Sequence, residues 1–265
     1  MVVTLFKLTV LGNNGPYSAG GGACSGYLLQ HDETYIIIDL GSGSLANLMT
    51  VLSSDLEKIN AIILTHLHAD HISDISVLRY AVFRANNSTD KDGDQVKIPL
   101  YCPPEPELEY GTLCTYVPYD VRPITEGLAL DFDGLTIKFA PMQHPYPAFA
   151  VSAESGDNRK FVYTADTSWN QELIIFAEDA DLMLADANHI SQDRLAGKPM
   201  FHLTAEECGI AAAEAGVKRL LLTHFTPGSD IERRVAEARA GTQKVLGRSD
   251  SLHVGDARIL TSYEI

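Results

Sequence analysis

The stretch Ile59-Asn-Ala-Ile-Ile-Leu-Thr-His66-Leu-His68-Ala-Asp70-His71 decides how this chain is read. Its start, residues 59–64, is a nearly continuous apolar run, the mark of a strand buried on both faces. Three imidazoles and a carboxylate follow at His66, His68, Asp70 and His71. These are the side chains a borderline-soft divalent cation takes as ligands at neutral pH. Four are too many for one catalytic ion, which must keep a position open. The spacing therefore predicts two metal ions sharing one short loop. Beyond it, Ile72, Ile75, Leu78 and Val82 recur at helical spacing. The ligands thus fall where a strand ends and a helix begins, the edge where α/β sheets place their chemistry.

His-x-His-x-Asp-His after an apolar strand resembles the signature of the metallo-β-lactamase fold. The resemblance implies an α/β architecture, a four-layer αββα sandwich, carrying one or two zinc ions. It also implies further ligands in a fixed order: a lone His, an Asp and a last His, each at a strand end. Residues 135–140 read as a strand and are followed by His144; residues 161–165 read as another and are followed by Asp166. Residues 219–223 read as a third, followed by His224. By resemblance, His66, His68 and His144 hold one metal, Asp70, His71 and His224 hold the other, and Asp166 bridges them. A single His at a strand end is more often a satisfied buried residue. The order and the shared setting give the set its weight.

Composition bounds the rest. At 265 residues with 45% hydrophobic content, the chain fits one large domain, residues 1–265, with a sizeable core. No segment reaches the roughly 18 consecutive apolar residues that a membrane span needs. The N-terminal residues 1–11 alternate in part and carry Lys7, so an edge strand is expected rather than a leader. Cys24, Cys102, Cys114 and Cys208 show neither metal-pair nor framework spacing. They are expected to be reduced, in a cytoplasmic protein. The net charge of −15 repels nucleic-acid backbone. Arg233, Arg234 and Arg239 form the strongest basic cluster, expected to be a solvated helix face.

Several segments border the predicted site. The glycine-rich loop 12–22 allows close backbone approach to a ligand. Residues 35–39 read as a buried strand ending at Asp39; by resemblance Asp39 orients the first metal-binding loop, with helix capping as the alternative. Ser42 or Ser44 is expected to cap the next helix. Asp90, Asp92 and Asp94 faintly resemble a calcium loop but lack its late Glu and sixth-position Gly. The proline-rich stretch 99–123 is read as pocket wall. Residues 230–240 read as a helix and residues 256–260 as a final strand. The two halves suggest an internal duplication.

Two divalent metals activate a water and stabilise charge on both attacking and leaving oxygens, which suits phosphate esters, thioesters and lactams. His202 discriminates among them. It precedes a capping box, Thr204 and Glu207, before an alanine-rich helix. Together with Asp186 and His224 it resembles the phosphodiesterase branch that includes ribonuclease Z. The resemblance implies that His202 stabilises or protonates the scissile phosphate and that Asp186 orients it; the branch has Glu in place of Asp186. Catalytic roles thus fall to Asp70, His202 and Asp186. Ribonuclease Z carries a tRNA-gripping insertion between the lone His and the bridging Asp, and the span from His144 to Asp166 has no room for one. The expected substrate is a small-molecule or short phosphodiester: a small or cyclic nucleotide, or an oligonucleotide end. tRNA and membrane partners are not expected, and a homodimer is left open. Two divalent ions are expected, zinc first, with manganese or iron as alternatives. The competing readings are a thioester or lactone hydrolase, a di-iron redox protein, and a noncatalytic binding module.

Overall fold

The computed structural model describes residues 4–53, 55–88, 97–197, 199–247 and 252–265. The calcium-loop positions Asp90, Asp92 and Asp94 lie outside the described residues. Among those described, fourteen strands form two seven-stranded sheets. The first contains β1 (Phe6–Gly12), β2 (Gly26–His31), β3 (Thr34–Leu40), β4 (Ile59–Ile63), β5 (Ile98–Cys102) and β6 (Tyr119–Pro123). The second contains β7 (Ala129–Phe132), β8 (Leu135–Met142), β9 (Ala148–Ser155), β10 (Lys160–Tyr163), β11 (Leu182–Asp186), β12 (Arg219–Thr223) and β13 (His253–Asp256). The last strand, β14 (Ser262–Glu264), returns to the first sheet beside β1.

The sheets repeat one pattern. In the first, the pairs from β14 through β3 are antiparallel and those from β3 through β6 parallel. In the second, the pairs from β7 through β10 are antiparallel and those from β10 through β13 parallel. This is the arrangement that the suggested duplication requires.

Strand alternation builds the layers. Ile36 and Ile38 of β3 pack in one cluster with Leu182 and Leu184 of β11, between the sheets. Ile37 points the other way, to Leu48 of α1 (Ser44–Leu52), Leu78 of α3 (Ile75–Ser88) and Leu113 of α4 (Glu107–Cys114). Between α1 and α3 lies the short α2 (Ala69–Ile72). On the far side, Met183 and Ala185 pack on Leu173 of α5 (Gln171–Phe176), Ala211 of α7 (Ala205–Glu214) and Ala238 of α8 (Ile231–Leu246). The short α6 (Ser191–Leu195) precedes α7. Central strands buried on both faces explain why their sequences are unbroken apolar runs. The result is the expected αββα sandwich.

Four local expectations need correction. β1 is not an edge strand, because β14 pairs with it. Residues 257–261 form no strand; they connect β13 to β14. Neither Ser42 nor Ser44 caps α1. Gly43 occupies that position, Ser44 Oγ donates to the Cys24 carbonyl at 2.6 Å, and Asp74 Oδ2 accepts from the Leu45 amide at 2.9 Å. Arg234 is not solvated. It is 8% exposed, and its guanidinium donates to the carbonyls of Ala187 and Asn188 at 3.0 and 2.8 Å. Those carbonyls follow β11 and lie out of reach of sheet pairing, so a buried cation with a fixed fork of donors satisfies them. The helix itself is as expected, with Asp230 accepting from the Arg233 amide at its N-terminus.

Candidate metal centre

The parallel strands of both sheets end at one place. Leaving β4, the chain sets His66 and His68 in the loop and Asp70 and His71 in the first turn of α2. His144 follows β8, Asp166 follows β10, Asp186 ends β11 and His224 follows β12. Three strand ends are reached through non-glycine residues in the left-handed region: Asp39 (φ 55°), Ala165 (φ 53°) and His224 (φ 60°). Such backbone is costly and gathers where geometry matters more than stability.

All seven expected ligand residues converge. The ligand atoms of His66, His68, His144 and Asp166 lie within 4.8 Å of one another, as do those of Asp70, His71 and His224. Nε2 of His66 is 3.1 Å from Nδ1 of His68, which is 3.0 Å from Nε2 of His144. Nε2 of His71 faces Nε2 of His224 at 3.4 Å, and Asp70 Oδ2 lies 3.2 Å from the latter. Asp166 stands between the groups. Its Oδ2 is 3.7 Å from His66 Nε2 and 3.3 Å from His224 Nε2, while its Oδ1 is 3.4 Å from His71 Nε2. That Oδ1 is buried with no hydrogen-bond partner. An orphaned carboxylate oxygen among imidazole nitrogens that face one another fits a divalent cation better than it fits a hydrogen-bond network.

The outward atoms of these rings are tethered. His71 Nδ1 lies 2.8 Å from Asp39 Oδ2, His144 Nδ1 3.1 Å from the Phe201 carbonyl, and His224 Nδ1 3.4 Å from Asp186 Oδ1. Such partners fix the tautomer and turn the other nitrogen's lone pair inward. Asp39 also accepts from the Thr65 amide at 2.8 Å. It therefore braces the first metal-binding loop and caps no helix. Two glycines, Gly15 of the glycine-rich loop and Gly41 after β3, press against the same residues. A Cβ on Gly15 would lie 2.0 Å from His224 Nε2, and one on Gly41 would lie 1.8 Å from the Asp70 carbonyl oxygen.

His202 and Asp186 stand beside this group. Asp186 Oδ2 lies 2.8 Å from His202 Nδ1, so the shorter Asp reaches the imidazole. The same carboxylate faces His224 through its other oxygen, and the two imidazoles stack at 5.1 Å. Sequence reasoning missed Asn188. Its Nδ2 donates to the carbonyls of Gly15 and His224 at 3.2 and 3.1 Å, tying the glycine-rich loop to the β12 end. No spacing marks such a residue, because its partners come from distant parts of the chain.

Electrostatics separate two kinds of imidazole. Burial pushes His66 well below its ordinary value, and burial likewise lowers His68 and His144, so all three are neutral and ready to ligate. Burial also opposes charge on His71 and His224. There Asp166 with Asp39 raises His71 well above its usual range, and Asp166 with Asp186 raises His224 to about 10. Burial disfavours ionised Asp166 and Asp70 too, yet the neighbouring His224 and His71 hold both low. The site thus carries more carboxylate charge than its surroundings neutralise. Cations binding there displace protons from His71 and His224.

This donor set at the ends of paired sheets defines a metal-dependent hydrolase. Residues 34–225 match the beta-lactamase superfamily domain, and the chain belongs to that superfamily. It is 34% identical over 226 residues to the probable metallo-hydrolase YhfI of Bacillus subtilis, covering 83% of this chain and 86% of the relative. The crystal structure of that metallo-beta-lactamase fold protein matches with a TM-score of 0.84 at 28% identity, over 98% of this chain and 100% of the other. Ribonuclease Z of Ignicoccus hospitalis is 24% identical over 281 residues, covering 88% of this chain and 92% of that protein. A diphosphatase of the PhnP family shares the fold, with a TM-score of 0.70 at 20% identity and 98% coverage of both chains.

Proposed function

We propose that the protein hydrolyses a phosphodiester carried by a small or cyclic nucleotide or by an oligonucleotide end. The observation that carries this reading is the His202–Asp186 pair at 2.8 Å, beside Asp166 and His224. A thioester expels a thiolate that needs no proton, and a lactone carries no anionic non-bridging oxygens for a cationic imidazole to bind. A phosphodiester's leaving alkoxide does need a proton, and its non-bridging oxygens need a cation.

In this reading His66, His68, His144 and Asp166 would hold one divalent ion, and Asp70, His71 and His224, with Asp166, the other, zinc being the first candidate. When bound, such a pair would supply Lewis acidity and an acidified water. Water's oxygen forms the new bond to phosphorus as the P–O bond to the leaving group breaks. His202 donates its proton to that departing oxygen, and Asp70 takes the proton from the water. Asp186 holds His202 in position. Burial alone would keep His202 neutral, but the Asp186 carboxylate outweighs it and raises the imidazole above its ordinary value. A proton at neutral pH is what a general acid needs. Between His144 and Asp166 the chain forms only β9, β10 and their connections, which favours a small substrate over tRNA.

Turnover of bis(p-nitrophenyl) phosphate by His202→Ala tests the reading. The expected loss is ~10²-fold or more in kcat with metal content unchanged, the scale of removing one donor to the transition-state oxygens, since p-nitrophenolate leaves without a proton. Near-unchanged phosphodiester turnover, alongside strong thioester or lactone activity, would defeat it.

A further inference from the structure

Beside the metal centre, between α2, α3 and α4, lies a cavity of about 590 Å³ that the chemistry above leaves unused. His68 is part of its wall, so the cavity opens directly onto one of the two ligand groups. Its volume falls within the roughly 300–1,000 Å³ of small-molecule sites. We infer that this cavity is the subsite for the substrate's nucleobase. The inference rests on the phosphodiesterase reading and extends it to the substrate class.

Three features favour a flat heterocycle over a hydrocarbon chain. The first is aromatic walls. Tyr146 lies against the His68 ring, with centroids 4.1 Å apart and planes at 35°, and Tyr116 lines the cavity with it. Aromatic faces of this kind stack on a base whatever its identity, because every base has a π-face. The second is the polarity at the rim. Ser76 Oγ donates to the Ser73 carbonyl at 2.8 Å and Thr112 Oγ1 to the Leu108 carbonyl at 2.7 Å. With their protons so committed, these hydroxyls offer lone pairs. Glu109, also in the lining, adds a carboxylate. This is a set of acceptors, matched to a base edge that donates from an amino group. An acyl chain would cover the Glu109 carboxylate without offering it a donor. The third is continuity. His68 belongs to both the cavity wall and the metal-binding cluster, so a phosphate at the metals and a base in the cavity are neighbours within one nucleotide.

The test titrates adenosine calorimetrically into the metal-loaded protein and into two pocket-filling variants, Thr112→Trp on α4 and Ser76→Trp on α3. Circular dichroism and metal content check that each is folded, and the two sites on different helices guard against the loss of one variant. Saturable binding to the wild type, weakened at least tenfold by the substitutions, is the expected result. No adenosine binding to the wild type, equal binding by the folded variants, or saturable binding of an octanoyl lactone instead overturns the inference. Bis(p-nitrophenyl) phosphate turnover by the wild type is measured in parallel. A protein that turns over this ester but ignores adenosine loses the base subsite alone. One that binds adenosine but cleaves no phosphodiester loses the phosphodiesterase reading.

Discussion

Asp186 serves two imidazoles at once, His202 through Oδ2 and His224 through Oδ1. This double contact makes a signed prediction. Burial depresses His202 and Asp186 more than compensates. The general acid works only while protonated, so kcat/KM falls as pH rises through its pKa. Asp186→Asn removes the compensating charge and lowers that pKa. The basic limb of the pH–rate profile should therefore move to lower pH; an unmoved limb would remove His202 from the acid role. Gly15 makes a second prediction. Its Cβ position falls on the His224 ring, 2.0 Å from Nε2, so the imidazole itself would have to turn away from its place in the site. Gly15→Ala should cost the metal of the Asp70–His71–His224 group. Elemental analysis is then expected to read about one ion per chain where the wild type reads two. At this scale the ligands were legible, because His and Asp at strand ends carry their chemistry in their identity. The backbone that aims them was not. Asp39, Ala165 and His224 sit in the left-handed region without the glycine that normally announces it.

At the scale of elements, most strands and helices follow from apolar periodicity, and α7 follows from the Thr204 and Glu207 capping box seen in the structure. The misreadings share one cause. Asp74 capping α1, β14 covering β1 and Arg234 binding the carbonyls after β11 are all contacts between distant segments. Local pattern has no access to them. Arg234 borders the candidate site, because Ala187 and Asn188, whose carbonyls it binds, lie next to Asp186. Arg234→Met leaves those carbonyls unpaired, and an unsatisfied buried acceptor costs about 1–3 kcal/mol. Denaturant unfolding should show a loss of about 2 kcal/mol or more, together with a lowered phosphodiesterase kcat as Asp186 loosens. Full stability would show that the guanidinium contributes little there.

For the whole molecule, two sheets with the same succession of antiparallel and parallel pairs meet with their parallel strand ends together. Each sheet alone supplies only part of either donor group; together they bring seven candidate ligand residues to one place. His66, His71 and His224 are fully buried, while His68, His144 and His202 remain partly open, so the site faces solvent on the side of the latter three. Among the described residues, no helix is long and apolar enough to cross a membrane. The central claim is that two cations held by these donors perform the hydrolysis. It is tested most directly by adding zinc stepwise to chelator-stripped protein while following bis(p-nitrophenyl) phosphate turnover. The account predicts negligible activity without metal and a rise that saturates at two equivalents per chain. Saturation at one equivalent, or turnover in the stripped protein, would contradict it.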